Sequence, residues 1–238
     1  MVKIHSYGLD WLDEAALFEI TRTTFAKVFS APKRKPLPPD PFTLVAHAVV
    51  TGEGLARARA FERERAANKT LSDNVGYWHQ RVLGLSPNWI ETGASGGKID
   101  LRTVPGCEPP GVGKPVFAEV KNRFNTIKAS DEKNVWDDLD AIARANDAVA
   151  YLFQIVPKQP EPFDRPWQVS GRKAKQIVRH CDGVTAYAMV FERPTALFEI
   201  FAALPAIFEE ITGRHVNFSA SEIEDLFYGS MPEAPRPD

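Results

Sequence analysis

A chain of 238 residues can form one large domain or a core domain with an added lobe. Its 44% hydrophobic and 25% charged residues describe an ordinary globular protein; no apolar run is long enough to span a membrane and no leader-like pattern opens the chain, so the expected compartment is the cytoplasm. A formal net charge of −2 argues against nonspecific coating of DNA but leaves room for a sequence-specific enzyme with local basic patches, and the two cysteines, Cys107 and Cys181, lack the spacing of a zinc site or a disulfide framework.

Residues 9–30 carry a rough helical stripe of Leu12, Ala15, Ala16, Phe18, Ile20 and Phe25, with Asp10 placed to cap it. Thr21–Thr24 weaken the stripe and Lys33–Pro39 end it in an exposed basic, proline-rich loop, read as a solvated linker or as a phosphate-contacting arm. A second helical pattern starts at Asp40 and is interrupted by Gly52 and Gly54. Leu55–Arg65 is a strong helix former whose alternating Arg and Glu read as an ion-paired, solvated face, with DNA contact as the alternative. Ser72 or Asp73 is expected to cap a further helix carrying Tyr77, Trp78, His79, Gln80, Val82 and Leu83, in which His79 beside aromatics reads as a satisfied, partly buried group.

The chemistry concentrates in the next stretch. Gly97–Leu101 and Val116–Asn122 read as two strands joined by a loop rich in proline and glycine. Residues two apart on a strand share a face, so Glu119 and Lys121 point one way while Ala118 and Val120 point the other. Antiparallel pairing would bring Asp100 beside Glu119. Two carboxylates that close repel each other unless a cation lies between them, and oxygen ligands suit Mg²⁺. A neighbouring lysine can then orient a water or stabilise charge on a phosphate. The plain alternative is a solvated sheet face. Directly afterwards come Asn122, Arg123, Asn125, Thr126 and Lys128, groups that hold phosphates and read base edges, so a metal-dependent phosphodiesterase site is the favoured reading. Asn125 and Thr126 could instead simply cap the turn that follows.

Asp100 followed by Glu119-x-Lys121 resembles the PD-(D/E)XK nuclease motif. The fuller run Ala118–Thr126, with Trp136-Asp137-Asp138-Leu139, resembles the type II restriction endonucleases that cut GGNCC; the likeness extends from about Asn74 to about Ser170. Ile99 stands where the motif's name has proline, a position where many members of the superfamily lack it. The resemblance implies an α/β PD-(D/E)XK core, a mixed central sheet flanked by helices, in residues 71–230. A helical N-terminal region, 1–70, would pack on that core and 231–238 would fray. It implies Mg²⁺-dependent hydrolysis of double-stranded DNA at a short palindrome by a homodimer. Asp100 and Glu119, with the carbonyl of Val120, would hold the metal, and Lys121 would orient the water. Many members carry an auxiliary carboxylate on the helix before the first core strand. Here Gln80 holds a comparable place without charge, and Glu91 could substitute. A repair or structure-specific nuclease of the same superfamily, and a non-catalytic DNA-binding module, are the rival readings.

Beyond the hairpin, Ser130–Lys133 reads as a helix start, with a buried stripe of Val135, Leu139, Ile142 and Ala143. Ala148–Val156 is apolar enough for a strand covered on both faces, reached by a right-handed crossover with parallel pairing. After a loop punctuated by Pro157, Pro160, Pro162 and Pro166, a helix over 171–181 would align Arg172, Lys175 and Arg179. With Lys173, these basic residues are candidates for phosphate clamping, or else form a solvated face. Val184–Phe191 is expected as a strand, residues 195–212 as an apolar helix for deep burial or a subunit interface, and Ser219–Phe227 as a last short helix.

Overall fold

Capping signals set most helix boundaries. In the computed structural model, which describes residues 5–29, 38–93 and 97–233, α1 spans Glu14–Phe29. Asp13 caps it in place of Asp10, accepting the Ala16 N–H at 3.0 Å. Asp40 caps α2 (Pro41–Thr51), its carboxylate accepting from Phe42 and Thr43, and Gly52 ends it at φ 71°. The expected basic loop lies mostly outside the described residues. Helix α3 runs unbroken from Leu55 to Leu83, a correction to the separate helix expected from Ser72 or Asp73. Asp73 instead pairs with Lys69 one turn earlier at 2.8 Å, and Asn74 bonds back to the Thr70 carbonyl, so the capping residues serve as solvated helix surface.

Strands β1 (Trp89–Glu91), β2 (Leu101–Thr103) and β3 (Val116–Arg123) follow, then α4 (Glu132–Ala145), β4 (Val149–Val156), β5 (Asp164–Pro166) and β6 (Val178–Asp182). Helices α5 (Gly183–Phe191), α6 (Ala196–Thr212) and α7 (Ala220–Tyr228) complete the chain. The six strands form one mixed sheet in the order β1-β2-β3-β4-β6-β5. β1, β2 and β3 pair antiparallel, β3, β4 and β6 pair parallel, and β5 closes the edge antiparallel. Pro166 on that edge strand leaves no ladder bond unmade. No helix among the described residues is long and apolar enough to cross a membrane.

Alternation along β3 divides the molecule into two cores. Val116, Ala118 and Val120 face a large core shared with Leu17 and Phe25 of α1, Trp78 and Val82 of α3, Tyr187 of α5 and Ile200 and Ile207 of α6. The other face carries a smaller core of Ala150, Leu152 and Val178 under Trp136, Leu139 and Ala143 of α4. The stripe of α4 thus centres on Trp136, Leu139, Asp140 and Ala143, with Val135 only partly covered. β4 is buried along nearly all its length, as a strand with helices on both sides should be. Met231 belongs to the large core, and the final residues 234–238 lie outside the described part of the chain.

Two segments adopt the other secondary structure. Residues 171–177 form turns and loop, and 178–182 form β6, so there is no helix over 171–181. Val184–Phe191 lies in α5 and not in a strand. Asp182 caps that helix by accepting the Thr185 N–H at 3.0 Å. At Gly183 a Cβ would stand 2.4 Å from the Ile155 carbonyl oxygen, so the chain turns against β4 where only glycine fits. Both cysteines are free thiols.

Candidate active site

β2 begins at Leu101, the last residue of the expected Gly97–Leu101 strand, yet Asp100 is already held as if inside the sheet. Its N–H donates to the Ala118 carbonyl and its own carbonyl accepts the Thr92 N–H, both at 2.9 Å. The Thr92 hydroxyl donates to the Ile99 carbonyl at 2.5 Å. The Asp100 carboxylate accepts the Val120 N–H at 2.7 Å, which fixes its side chain against the middle of β3. On β3, Glu119 and Lys121 share the face opposite the large core, and the Lys121 ammonium donates to the Glu119 carboxylate. Expectation and geometry agree: the hairpin pairs antiparallel and brings the acid, acid and lysine together.

The electrostatics of this corner are strained by its own acids. Burial pushes the Glu119 carboxyl up to about 7, the neighbouring Asp100 charge adds to the rise, and Lys121 opposes it. Glu91 on β1 is also raised, first by burial, with Arg81 lowering it and Asp100 raising it. Its Cβ lies 2.9 Å from where a Cβ on Gly84 would be, so the end of α3 packs directly on this strand. Gln80 sits in the last turn of α3, with no hydrogen bond from its side chain to Asp100, Glu119 or Lys121.

A divalent cation fits this donor set. In an extended strand the N–H and C=O of one residue leave the same edge, so the Val120 carbonyl points to the side from which Asp100 bonds the Val120 N–H. Two carboxylates and one carbonyl are hard oxygen donors of the kind Mg²⁺ takes together with water. Among the described residues no three His, Cys, Asp or Glu side chains are grouped to hold a metal. A cation beside Glu119 would also stabilise the ionised form that burial opposes.

The chain leaves β3 through a turn. The Thr126 hydroxyl and N–H both reach the Arg123 carbonyl, at 2.6 and 3.2 Å, so Thr126 shapes the turn. The Asn122 amide donates to the Ser72 carbonyl of α3 at 3.4 Å. Arg123, Asn125 and Lys128 are exposed beside these anchored residues. Arg172 and Lys175 each bond to a carboxylate of α4. Arg172 makes two bonds to Asp137, at 2.6 and 2.5 Å. Lys175 bonds to the buried Asp140 at 2.7 Å and lies over the Trp136 ring. They pin the 171–177 loop to α4, and Lys173 between them is exposed.

Two further residues border the site. Lys98 reaches Asp138 of α4 at 2.5 Å and ties the segment ahead of Asp100 to that helix. Gln154 sits beside Lys121 in the parallel register of β3 and β4. It is the one polar residue inside the apolar run 148–156, the signal by which sequence could have found it.

The family model described as Eco47II restriction endonuclease matches residues 15–213, a span that includes the whole sheet and every residue of this corner. The chain is 29% identical over 178 residues to the type II restriction enzyme Eco47II of Escherichia coli, covering 70% of this chain and 71% of that enzyme.

Proposed function

The chain belongs to the Eco47II restriction endonuclease family and is a type II site-specific deoxyribonuclease, and from that premise we propose that Asp100, Glu119 and Lys121 are its catalytic residues on a PD-(D/E)XK core spanning residues 71–230. Restriction endonucleases of this kind generally use a divalent metal, and Mg²⁺ is the ion that the oxygen donors here favour. Asp100, Glu119 and the Val120 carbonyl would hold it. When bound, the ion supplies Lewis acidity toward the scissile phosphate and lowers the pKa of water.

The protein's own groups do the rest. Lys121 would orient the attacking water. Water oxygen bonds to phosphorus in line with the departing ester oxygen, the opposite P–O bond breaks, the water's proton passes to solvent or to the phosphate, and the departing oxygen takes up a proton from solvent. Arg123, Asn125 and Lys128 would contact DNA where the chain leaves the catalytic strand. The proposed target is a short palindromic duplex of the GGNCC type, cut by a homodimer in which each subunit acts on one strand.

The observation that carries this reading is the pairing of Asp100 with the Val120 N–H beside the Glu119–Lys121 pair. Glu119→Gln and Asp100→Asn should each abolish Mg²⁺-dependent cleavage of plasmid DNA. Duplex binding in Ca²⁺ and the far-ultraviolet circular dichroism should stay close to wild type. Wild-type cleavage rates in either variant would remove these residues from the chemistry.

A further inference from the structure

Helix α3 does not lie on the body along its whole length. Its last turns pack against β1, β3, α1 and α5. Ahead of them, the eleven consecutive residues 63–73 are exposed on every side. At 1.5 Å per residue this bare stretch carries the start of α3 about 16 Å away from the sheet. A helix polar all round and standing free is a spacer, and so short a helix is marginal in water unless something holds its far end.

At that far end sits α2, which packs against α3 through Leu44 and through His47 stacked on Phe61. On the side of α2 away from α3, helical spacing aligns Phe42, Val45, Ala46 and Val49. Phe42 is 83% exposed, Val45 55%, Val49 75% and the adjoining Val50 86%. Together these side chains present an apolar stripe along α2, the kind of surface that the core of a two-fold interface buries. Stray surface residues do not form such a patch.

Charge narrows the choice of partner. Residues 40–66 contain four arginines and four carboxylates, many already paired, such as Arg65 with Glu62 and Arg57 with Glu53. The arm is therefore neutral, without the excess basic charge that DNA contact needs. It is also self-complementary, as a two-fold interface must be. Its root matters too. Ser72 bonds Asn122 at the end of the catalytic strand, so the arm departs from beside the candidate active site.

We propose that α2 and the outer half of α3 form a dimerisation arm whose apolar stripe packs on the same stripe of a second copy of this chain. This rests on the homodimer reading above and assigns it a surface. Two such hairpins meeting about a two-fold axis make a four-helix contact held off both bodies. That leaves a span between the two catalytic corners in which a duplex can lie.

Sedimentation of the full chain at tens of micromolar should show a dimer. The double variant Val45→Glu/Val49→Glu should be monomeric, with its dissociation constant raised at least about 100-fold and its circular dichroism unchanged, since both side chains are exposed in the protomer. Val45→Cys in a Cys107→Ser background should give a covalent dimer on oxidation. A wild-type monomer at all concentrations would overturn the arm together with the homodimer reading. A wild-type dimer that persists in the double variant, with no cross-link through Val45→Cys, would overturn the arm alone and leave the homodimer reading standing.

Discussion

Lys121 and Glu119 differ by two positions on one strand, and that spacing alone puts ammonium and carboxylate in contact on the polar side of β3. Whether the lysine acts on metal binding or on the water can be separated. Lys121→Ala should lower the single-turnover cleavage rate by about 10²–10⁴-fold, the range of a positioned acid–base group. Mg²⁺ should still bind, because Asp100 and Glu119 remain. Titration calorimetry on a variant that had lost Mg²⁺ binding but cleaved normally at saturating metal would contradict the role given to this lysine. These three side chains were legible in the sequence because strand alternation and a hairpin suffice to bring them together. The fate of Arg172 and Lys175 was not, because Asp137 and Asp140 lie 35 residues earlier and meet them only after α4 has packed.

At the scale of elements, the turn after β3 is where recognition would be decided. Thr126 is spent on the turn itself, whereas Arg123, Asn125 and Lys128 project from it. If Asn125 reads a base edge, Asn125→Ala should cost about 1–3 kcal/mol on the cognate duplex and blur discrimination against single mismatches. Arg123→Ala should weaken binding to all duplexes alike if it holds only phosphate. Equal affinities and equal discrimination for Asn125→Ala and wild type would assign that residue to the turn. Two elements were misread for identifiable reasons. Val184–Phe191 is a continuous apolar run, and periodicity cannot tell a buried strand from a buried helix over eight residues. What decided it was Asp182 as a cap and the close approach of Gly183 to Ile155. Residues 171–181 are rich in helix formers, but Val178 and Cys181 each fill a core on opposite faces of the sheet, which only a strand can do.

Considered whole, the molecule is a sheet with a large core on one side and a smaller one under α4, and two histidines, the buried His79 and the half-buried His180, link that packing to pH. Burial lowers His79 to about 3, where its ring bonds the Tyr187 hydroxyl at 2.7 Å, and lowers His180 to about 4. The sign follows from linkage: a lowered folded-state pKa means that below about 6.5 the unfolded chain binds a proton the folded one refuses. That part of the stability is whole above pH 6.5 and is lost as pH falls toward 4. Each histidine adds about 1.4 kcal/mol per pH unit to the acid slope. Urea unfolding between pH 5 and 7 should show His180→Gln with a slope shallower by up to that amount. Identical slopes would mean His180 titrates normally in the fold.

Short stretches of chain sufficed for the local facts: the helix starts at Asp40 and Ser219, the alternation of β3, the apolar run of β4 and the catalytic spacing. Each of these needs only neighbours within a few residues. Long-range packing was needed to place Asp73 within one long α3, to insert 178–182 between β4 and β5, and to set Arg172 and Lys175 against α4. It also left the outer face of α2 uncovered. These outcomes depend on which distant surface comes to lie alongside a segment, and the free energy of burial there outweighs propensities worth a few tenths of a kcal/mol per residue.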